Sequence, residues 1–208
     1  MSYSAKVSKD LLEIGAVSIQ PNDPFTWTSG MKSPIYCDNR ITMSYPEIRN
    51  TIVEAFVSII NQYYPEVEVI AGTATAGIPH AAWIAQKLNL PMVYIRSSAK
   101  KHGKGKQIEG TFEPDAKMVI IEDLISTGSS VINAVQEARR EGAEVLGVAA
   151  IFTYELDIST YAFDELQVTL KTITTYSEMI QVALESGRIK DSDRTSLMEW
   201  KKDPKSWQ

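Results

Sequence analysis

The sequence predicts an α/β protein: a doubly wound, mainly parallel sheet flanked by helices. Short apolar runs of strand length recur at 67–71, 92–95, 118–121 and 145–152. Segments with apolar residues at helical spacing alternate with them. The run at 145–152 is almost wholly apolar, as a strand covered on both faces must be. Alternating strands and helices build parallel sheets by crossover connections, and such sheets bind ligands at the carboxyl ends of their strands.

The elements follow in order. Val7, Leu11, Leu12 and Ile14 share one face of a first helix, which Gly15 closes. Residues 25–40 alternate polar and apolar and read as short strands around a Ser29-Gly30 turn. Ser44 and Glu47 have capping-box spacing, with Pro46 in the first turn of a helix. Ile48, Ile52, Ala55, Phe56, Ile59 and Ile60 form its apolar face to about Gln62. A strand at 67–71, a helix at 79–88 and strands at 92–95 and 118–121 come next. Val131, Val135 and Ala138 mark the following helix, whose C-terminal dipole Arg139 and Arg140 complement before Gly142 ends it. Beyond Phe152 the periodicity weakens. A last strand is read at 168–174, a helix at 177–186 bounded by Ser177 and Gly187, and a short closing helix at 193–202. No repeat and no linker divides the chain, so residues 1–208 are expected to form one domain.

Composition excludes several function classes. The 208 residues, 44% hydrophobic and 23% charged, suffice for a full core and fit an ordinary globular protein. A net charge of −5 opposes a general nucleic-acid binder. Cys37 is the only cysteine, so no internal disulfide forms and a reducing cytoplasm is expected. No apolar stretch approaches membrane-spanning length, and the first residues lead into an amphipathic helix rather than a signal peptide. With only His80 and His102, a multi-histidine metal site is out, and no Gly-x-Ser-x-Gly nucleophile turn is present.

Three segments carry chemistry. In 117–130 an apolar run reaches the adjacent acids Glu122 and Asp123, then a Ser126-Thr127-Gly128-Ser129-Ser130 turn opens a helix. Carboxylates ending a buried strand can accept hydrogen bonds from sugar hydroxyls. The turn offers N–H and hydroxyl groups at a helix N-terminus, a ready anion site. A ribose bearing a phosphate satisfies both halves, although a strand ending in acids before a helix also occurs without such a ligand. The second segment, 72–77, has glycine at each end and only Thr and Ala between. It reads either as a tight strand-to-helix connection or as a turn open enough for a diphosphate to reach its backbone. The third, 97–110, gathers Lys100, Lys101, Lys104, Lys106 and His102 among glycines directly after Arg96. Nothing in it can pack into a core. It reads as a solvated basic loop or as a cationic flap that closes over a diphosphate.

Residues 117–130 resemble the phosphoribosyl-diphosphate (PRPP) motif of the type I phosphoribosyltransferases. Within that group the chain is similar to the orotate phosphoribosyltransferases over most of its length. Their N-terminal signature reappears as Phe25-Thr26 and Ser29-Gly30-Met31-Lys32-Ser33-Pro34. Their Gly-x-Ala-x-x-Gly-Ile-Pro turn appears at 72–79, and their loop signature as Arg96, Lys100, His102 and Gly103. The acid-pair loop alone fits many phosphoribosyltransferases; the other two signatures single out the orotate enzymes.

The resemblance implies a type I phosphoribosyltransferase fold with residues 1–45 forming a small hood. It implies that Glu122 and Asp123 hold the ribose hydroxyls and that Leu124, Ile125, Ser126, Thr127, Gly128, Ser129 and Ser130 surround the 5′-phosphate. Arg96, Lys100 and His102 would grip the diphosphate from the neighbouring subunit of a homodimer. Lys100, His102 and Asp123 would be the catalytic groups. Ser126, Tyr36, Cys37 and Tyr154 would meet orotate, and Mg²⁺ would arrive mainly on PRPP, with no metal ligand set of the protein's own. The sequence departs from the best-known family pattern at Thr28, at Thr75-Ala76 and at Tyr154, where cations are lost. Loop lysines or other residues are then expected to compensate. A purine phosphoribosyltransferase, or a non-catalytic PRPP sensor that binds RNA, are the competing readings; the second expects a basic face beyond the loop, in a chain that is otherwise acidic. Cys37 and His80 are expected to have no reactive role, Trp83 to anchor the core, and Trp200 and Trp207 to pack the C-terminal segment.

Overall fold

A computed structural model describes residues 2–27, 30–98 and 106–207. Ser2 caps the first helix, accepting from the Ala5 N–H, and Tyr3–Glu13 (α1) buries Val7, Leu11 and Leu12. Two small antiparallel ribbons follow. Val17–Ile19 (β1) pairs with Ile35–Cys37 (β4) around an inner pair, Phe25–Thr26 (β2) with Lys32–Ser33 (β3). A 3-10 turn, Asn39–Ser44, leads to Pro46–Tyr63 (α2). Then come Val69–Thr73 (β5), Gly77–Leu88 (α3), Met92–Ile95 (β6), Ile108–Glu109 (β7), Lys117–Ile125 (β8) and Ser129–Arg140 (α4). The chain continues with Glu144–Thr153 (β9), Asp157–Glu165 (α5), Thr169–Thr175 (β10), Tyr176–Glu185 (α6) and, after a short 3-10 turn, Arg194–Lys202 (α7).

The six-stranded sheet has the order β10-β9-β8-β5-β6-β7, parallel except for β7 at one edge. Side chains alternate across it as strand geometry requires. Val119 and Ile121 join one core cluster with residues of α1, α2, α3, α6 and α7, while Met118 and Ile120 join a second with α4 and α5. This is the expected doubly wound α/β architecture, with both sheet faces covered.

Local expectations fared unevenly. Ser44 does not cap α2; Tyr45 is the N-cap and makes no side-chain bond, because Thr42 and Ser44 are taken up in the preceding 3-10 turn. The hydroxyl capping α6 belongs to Thr175, which accepts from the Glu178 N–H, while Ser177 bonds instead to Glu155. Helix α5 escaped the periodicity: among its residues only Ser159 and Phe163 are buried. Glu122 and Asp123 lie inside β8 rather than just past its end.

His80 is buried between Phe56 and Trp83, and its Nδ1 has no hydrogen-bond partner. Burial pushes its pKa down to about 4, so it is a neutral packing group. Trp83 is half-buried and packs against the core, with the Arg49 guanidinium 4.7 Å above its ring. Trp200 is fully buried, and its indole N–H donates to the Lys32 carbonyl at 2.9 Å, tying α7 to β3.

Two glycines set the turn between β5 and α3. A Cβ at Gly72 would stand 2.9 Å from the Ala81 Cβ, and one at Gly77 would overlap the Ile121 carbonyl and come within 2.5 Å of Thr73 Oγ1. Their small size serves close packing of α3 on β5 and β8. Gly77→Ala is therefore expected to lower stability by about 2–3 kcal/mol, read as a shift of the denaturant midpoint. An unchanged midpoint would mean that α3 can move away from β8 freely.

Candidate active site

The crevice exists because two neighbouring strands end at different heights. The last β5–β8 pair is Gly72 with Ile121, whereas β8 stays paired with β9 as far as Ile125 and Thr153. Residues 122–125 therefore have a strand on one side only. The backbone groups of Asp123 find side chains in place of the missing strand. Its N–H donates to Glu122 Oε1 at 2.9 Å, and its carbonyl accepts from Asn39 Nδ2 at 2.7 Å. Thr73, the last residue of β5, donates its hydroxyl proton to the Ile121 carbonyl at 3.1 Å.

Glu122 is buried and Asp123 half-buried. Burial is the main force raising the Glu122 pKa above the ordinary carboxylate range, and hydrogen bonding and charge from Asp123 add to it. Burial raises Asp123 as well, while its bond to Glu122 and the charge of Arg40 pull the other way. Arg40 is exposed and bound by both oxygens of Asp38, at 2.6 and 2.8 Å, which holds Asp38 below its usual range.

The turn after the acids is built to receive an anion. Gly128 takes φ +81° as the N-cap of α4, and no acidic side chain occupies the first helical turn. Ser126 is half-buried, Thr127, Ser129 and Ser130 are exposed, and the Thr127 and Ser129 hydroxyls lie 3.3 Å apart. Leu124 is half-buried, and Ile125 is buried in the core. The helix end thus presents N–H and hydroxyl groups with a favourable dipole.

Next to it a cavity of about 200 Å³ is lined by Thr73, Ala74, Arg96, Ser129, Ser130 and Asn133. It joins the 72–77 turn to the α4 N-terminus. Thr75 is exposed and Ala76 half-buried beside it, and the Ala74–Thr75 peptide is cis. Arg96 reaches the cavity while ion-pairing with Glu109 at 3.5 Å. Lys100 and His102 lie outside the described residues. A wider groove of about 610 Å³ between α5 and β10 includes neither acid.

On the other side of the acids lies the N-terminal part. Tyr36 is largely exposed and packs 5.7 Å from Phe25. Cys37 is buried, donating its S–H to Asn39 Oδ1 at 3.3 Å, and burial raises its thiol well above the usual value. That makes it a poor nucleophile. Tyr154 is buried in an aromatic cluster with Trp27, Phe152 and Trp200 at 5.2, 5.1 and 5.8 Å. Its hydroxyl meets the Cys37 backbone, and its N–H donates to the Ile125 carbonyl at 3.0 Å. It stitches the β8 and β9 ends to the N-terminal part and brings no charge.

Sequence reasoning missed Thr73, Asn39, Arg40 and Asn133. Thr73 stood inside a turn noted for its glycines. The Asp38-Asn39-Arg40 run reads as a polar loop, and nothing in it marks Asn39 as fully buried.

Fold, acid pair and anion turn together define a phosphoribosyl-transfer scaffold, and the phosphoribosyl transferase domain family matches residues 44–185. An orotate phosphoribosyltransferase of Enterococcus faecalis is 64% identical over 202 residues, spanning 97% of this chain and 96% of the relative. Another, from Streptococcus mutans, is 57% identical over 208 residues and the full length of both chains. Among solved structures, UMP synthase of Leishmania donovani superposes with a TM-score of 0.79 at 25% identity, covering 94% of this chain and 42% of that one. The chain belongs to the orotate phosphoribosyltransferase family.

The raised Glu122 pKa has a consequence for stability. The folded state keeps a proton that the unfolded chain has released, so this group's contribution is full below about pH 4.5 and is lost as pH rises through the folded pKa. Glu122→Gln should remove that loss. Thermal melts at about pH 5 and about pH 8 should show the variant gaining on the wild type at the higher pH, the His80 contribution cancelling in the comparison. Parallel behaviour of the two proteins would mean that Glu122 ionises normally.

Proposed function

We propose that this enzyme transfers the 5-phosphoribosyl group from PRPP to N1 of orotate, giving orotidine 5′-monophosphate and diphosphate in UMP synthesis. The reading rests on the placement of the acid pair and the open α4 N-terminus on one strand-turn-helix unit, in a chain of the orotate phosphoribosyltransferase family. In this reading Glu122 and Asp123 accept from the ribose hydroxyls, and residues 124–130 enclose the 5′-phosphate. Arg96, Lys100 and His102, with the 72–77 turn at Thr75 and Ala76, hold the diphosphate. Tyr36, Cys37, Tyr154 and Ser126 border the base under a hood formed by residues 1–45 of a single domain.

The C1′–O bond to diphosphate breaks, its electron pair leaving with the diphosphate, and the N1–C1′ bond forms as the N1 proton is released. Positive charge gathers on the ribose as the bond opens. Orotate is already an anion, so catalysis is positioning together with charge stabilisation. Asp123 orients the ribose and supports its charge; Lys100 and His102 stabilise the leaving group.

The donor set fits a magnesium ion carried in by PRPP. Glu122 and Asp123 offer adjacent hard oxygen donors and would supply only part of an octahedral shell. The ion, when bound, would neutralise diphosphate charge. We further propose a cytoplasmic homodimer in which the 96–110 segment serves the neighbouring subunit's site. No helix among the described residues is long and apolar enough to cross a membrane.

Orotate absorbance should fall when PRPP and Mg²⁺ are added; no change with well-folded protein would reject the assignment. Lys100→Ala should lower kcat by about 100-fold with a much smaller effect on the PRPP KM. Mixing Lys100→Ala with Asp123→Asn should recover part of the activity, since hybrid dimers keep one intact site. No recovery after confirmed subunit exchange would place both residues in one subunit's site.

A further inference from the structure

We infer that Asn39 is a positioning residue for phosphoribosyl transfer: it substitutes for the strand missing beside Asp123 and fixes the peptide that aims this carboxylate. The inference rests on reading the acid pair as the ribose cradle. In a parallel sheet a central strand bonds to a neighbour on each side. At Asp123 the β5 neighbour has already ended, and a buried backbone group left unpaired there would be costly. The Asn39 amide fills the gap, its Nδ2 donating to the Asp123 carbonyl at 2.7 Å.

The amide has no freedom to do otherwise. Asn39 is fully buried, its Oδ1 accepts from the Cys37 S–H at 3.3 Å, and its own carbonyl accepts from Thr42 Oγ1 at 2.6 Å. Turning the amide over would set its oxygen against the Asp123 carbonyl and its NH₂ toward the thiol. An aspartate would meet the same carbonyl with an acceptor in place of a donor. Glu122 Oε1 already holds the Asp123 N–H, so Asn39 completes a clamp on both backbone groups of the residue. The side chain reaches no substrate position itself. It acts through the direction of the Asp123 carboxylate, and its loss should weaken PRPP recognition selectively.

Steady-state kinetics on Asn39→Ala and Asn39→Asp test this, with Tyr64→Phe as a control for lost stability. Tyr64 is buried and its hydroxyl donates to the Thr169 carbonyl at 3.1 Å, among residues given no part in the site. Asn39→Ala should raise the PRPP KM by about tenfold or more while the orotate KM changes less than about threefold. Asn39→Asp, which keeps the volume and the acceptor for Cys37, should be worse for PRPP, and it reads the hydrogen bond even if the alanine variant does not fold. Tyr64→Phe should melt earlier with both KM values unchanged. A folded Asn39 variant with an unaltered PRPP KM, or with both KM values rising in parallel, would overturn the inference. A wild type that fails to consume orotate with PRPP would instead overturn the assigned reaction.

Discussion

Beyond the Gly72–Ile121 pair, β8 loses its neighbour on one side and keeps β9 on the other, and the rest of the site is arranged around that step. A strand that outruns one neighbour must find partners for its freed backbone groups. Here they come from side chains: Glu122 for the Asp123 N–H and Asn39 for its carbonyl. The same step leaves a notch at the carboxyl edge of the sheet, into which Thr73, the 72–77 turn and the α4 N-terminus all open. Gly72 and Gly77 keep the notch narrow by letting α3 lie against the backbones of β5 and β8. Sheet topology thus creates the space, and the polar residues at its rim give it chemistry.

The electrostatics follow from the same burial. Two adjacent carboxylates held away from water resist double ionisation, and both are pushed toward the protonated form. Hydroxyl donors and a cation favour the ionised form. Ligands that supply them therefore draw protons off the pair as they bind, which couples occupancy of the notch to its charge. The uncapped end of α4 works in the opposite sense, offering N–H groups and a positive dipole to a phosphate one turn away. A molecule with hydroxyls at one end and a phosphate at the other meets complementary charge at both.

Much of this was legible in the sequence because it was written in local patterns. The apolar strands of the sheet and the small-residue turns depend on neighbours in sequence and are found where the spacing put them, while the acid pair falls inside β8 rather than past its end. What escaped depended on partners far along the chain. Helix α5 packs only Ser159 and Phe163 inward, too few for a visible period. Ser44 had the spacing of a cap but was drawn into the preceding 3-10 turn. Asn39 sits in a polar run and owes its role to Asp123, 84 positions later. Tyr154, considered as a base contact in place of a lost cation, is buried among Trp27, Phe152 and Trp200. Only the fold shows that it holds two strand ends to the N-terminal part.

The bond from the Trp200 indole to the Lys32 carbonyl spans 168 positions. The strands of the central sheet all lie between Val69 and Thr175, so the sheet contains none of the residues of α7, whereas β2 and β3 depend on that helix for their brace. The ribbon beside the acid pair is therefore sealed by an element later in the chain than every strand of the sheet. A variant lacking α7 would retain its acid pair and the 126–130 turn yet leave the ribbon beside them unbraced.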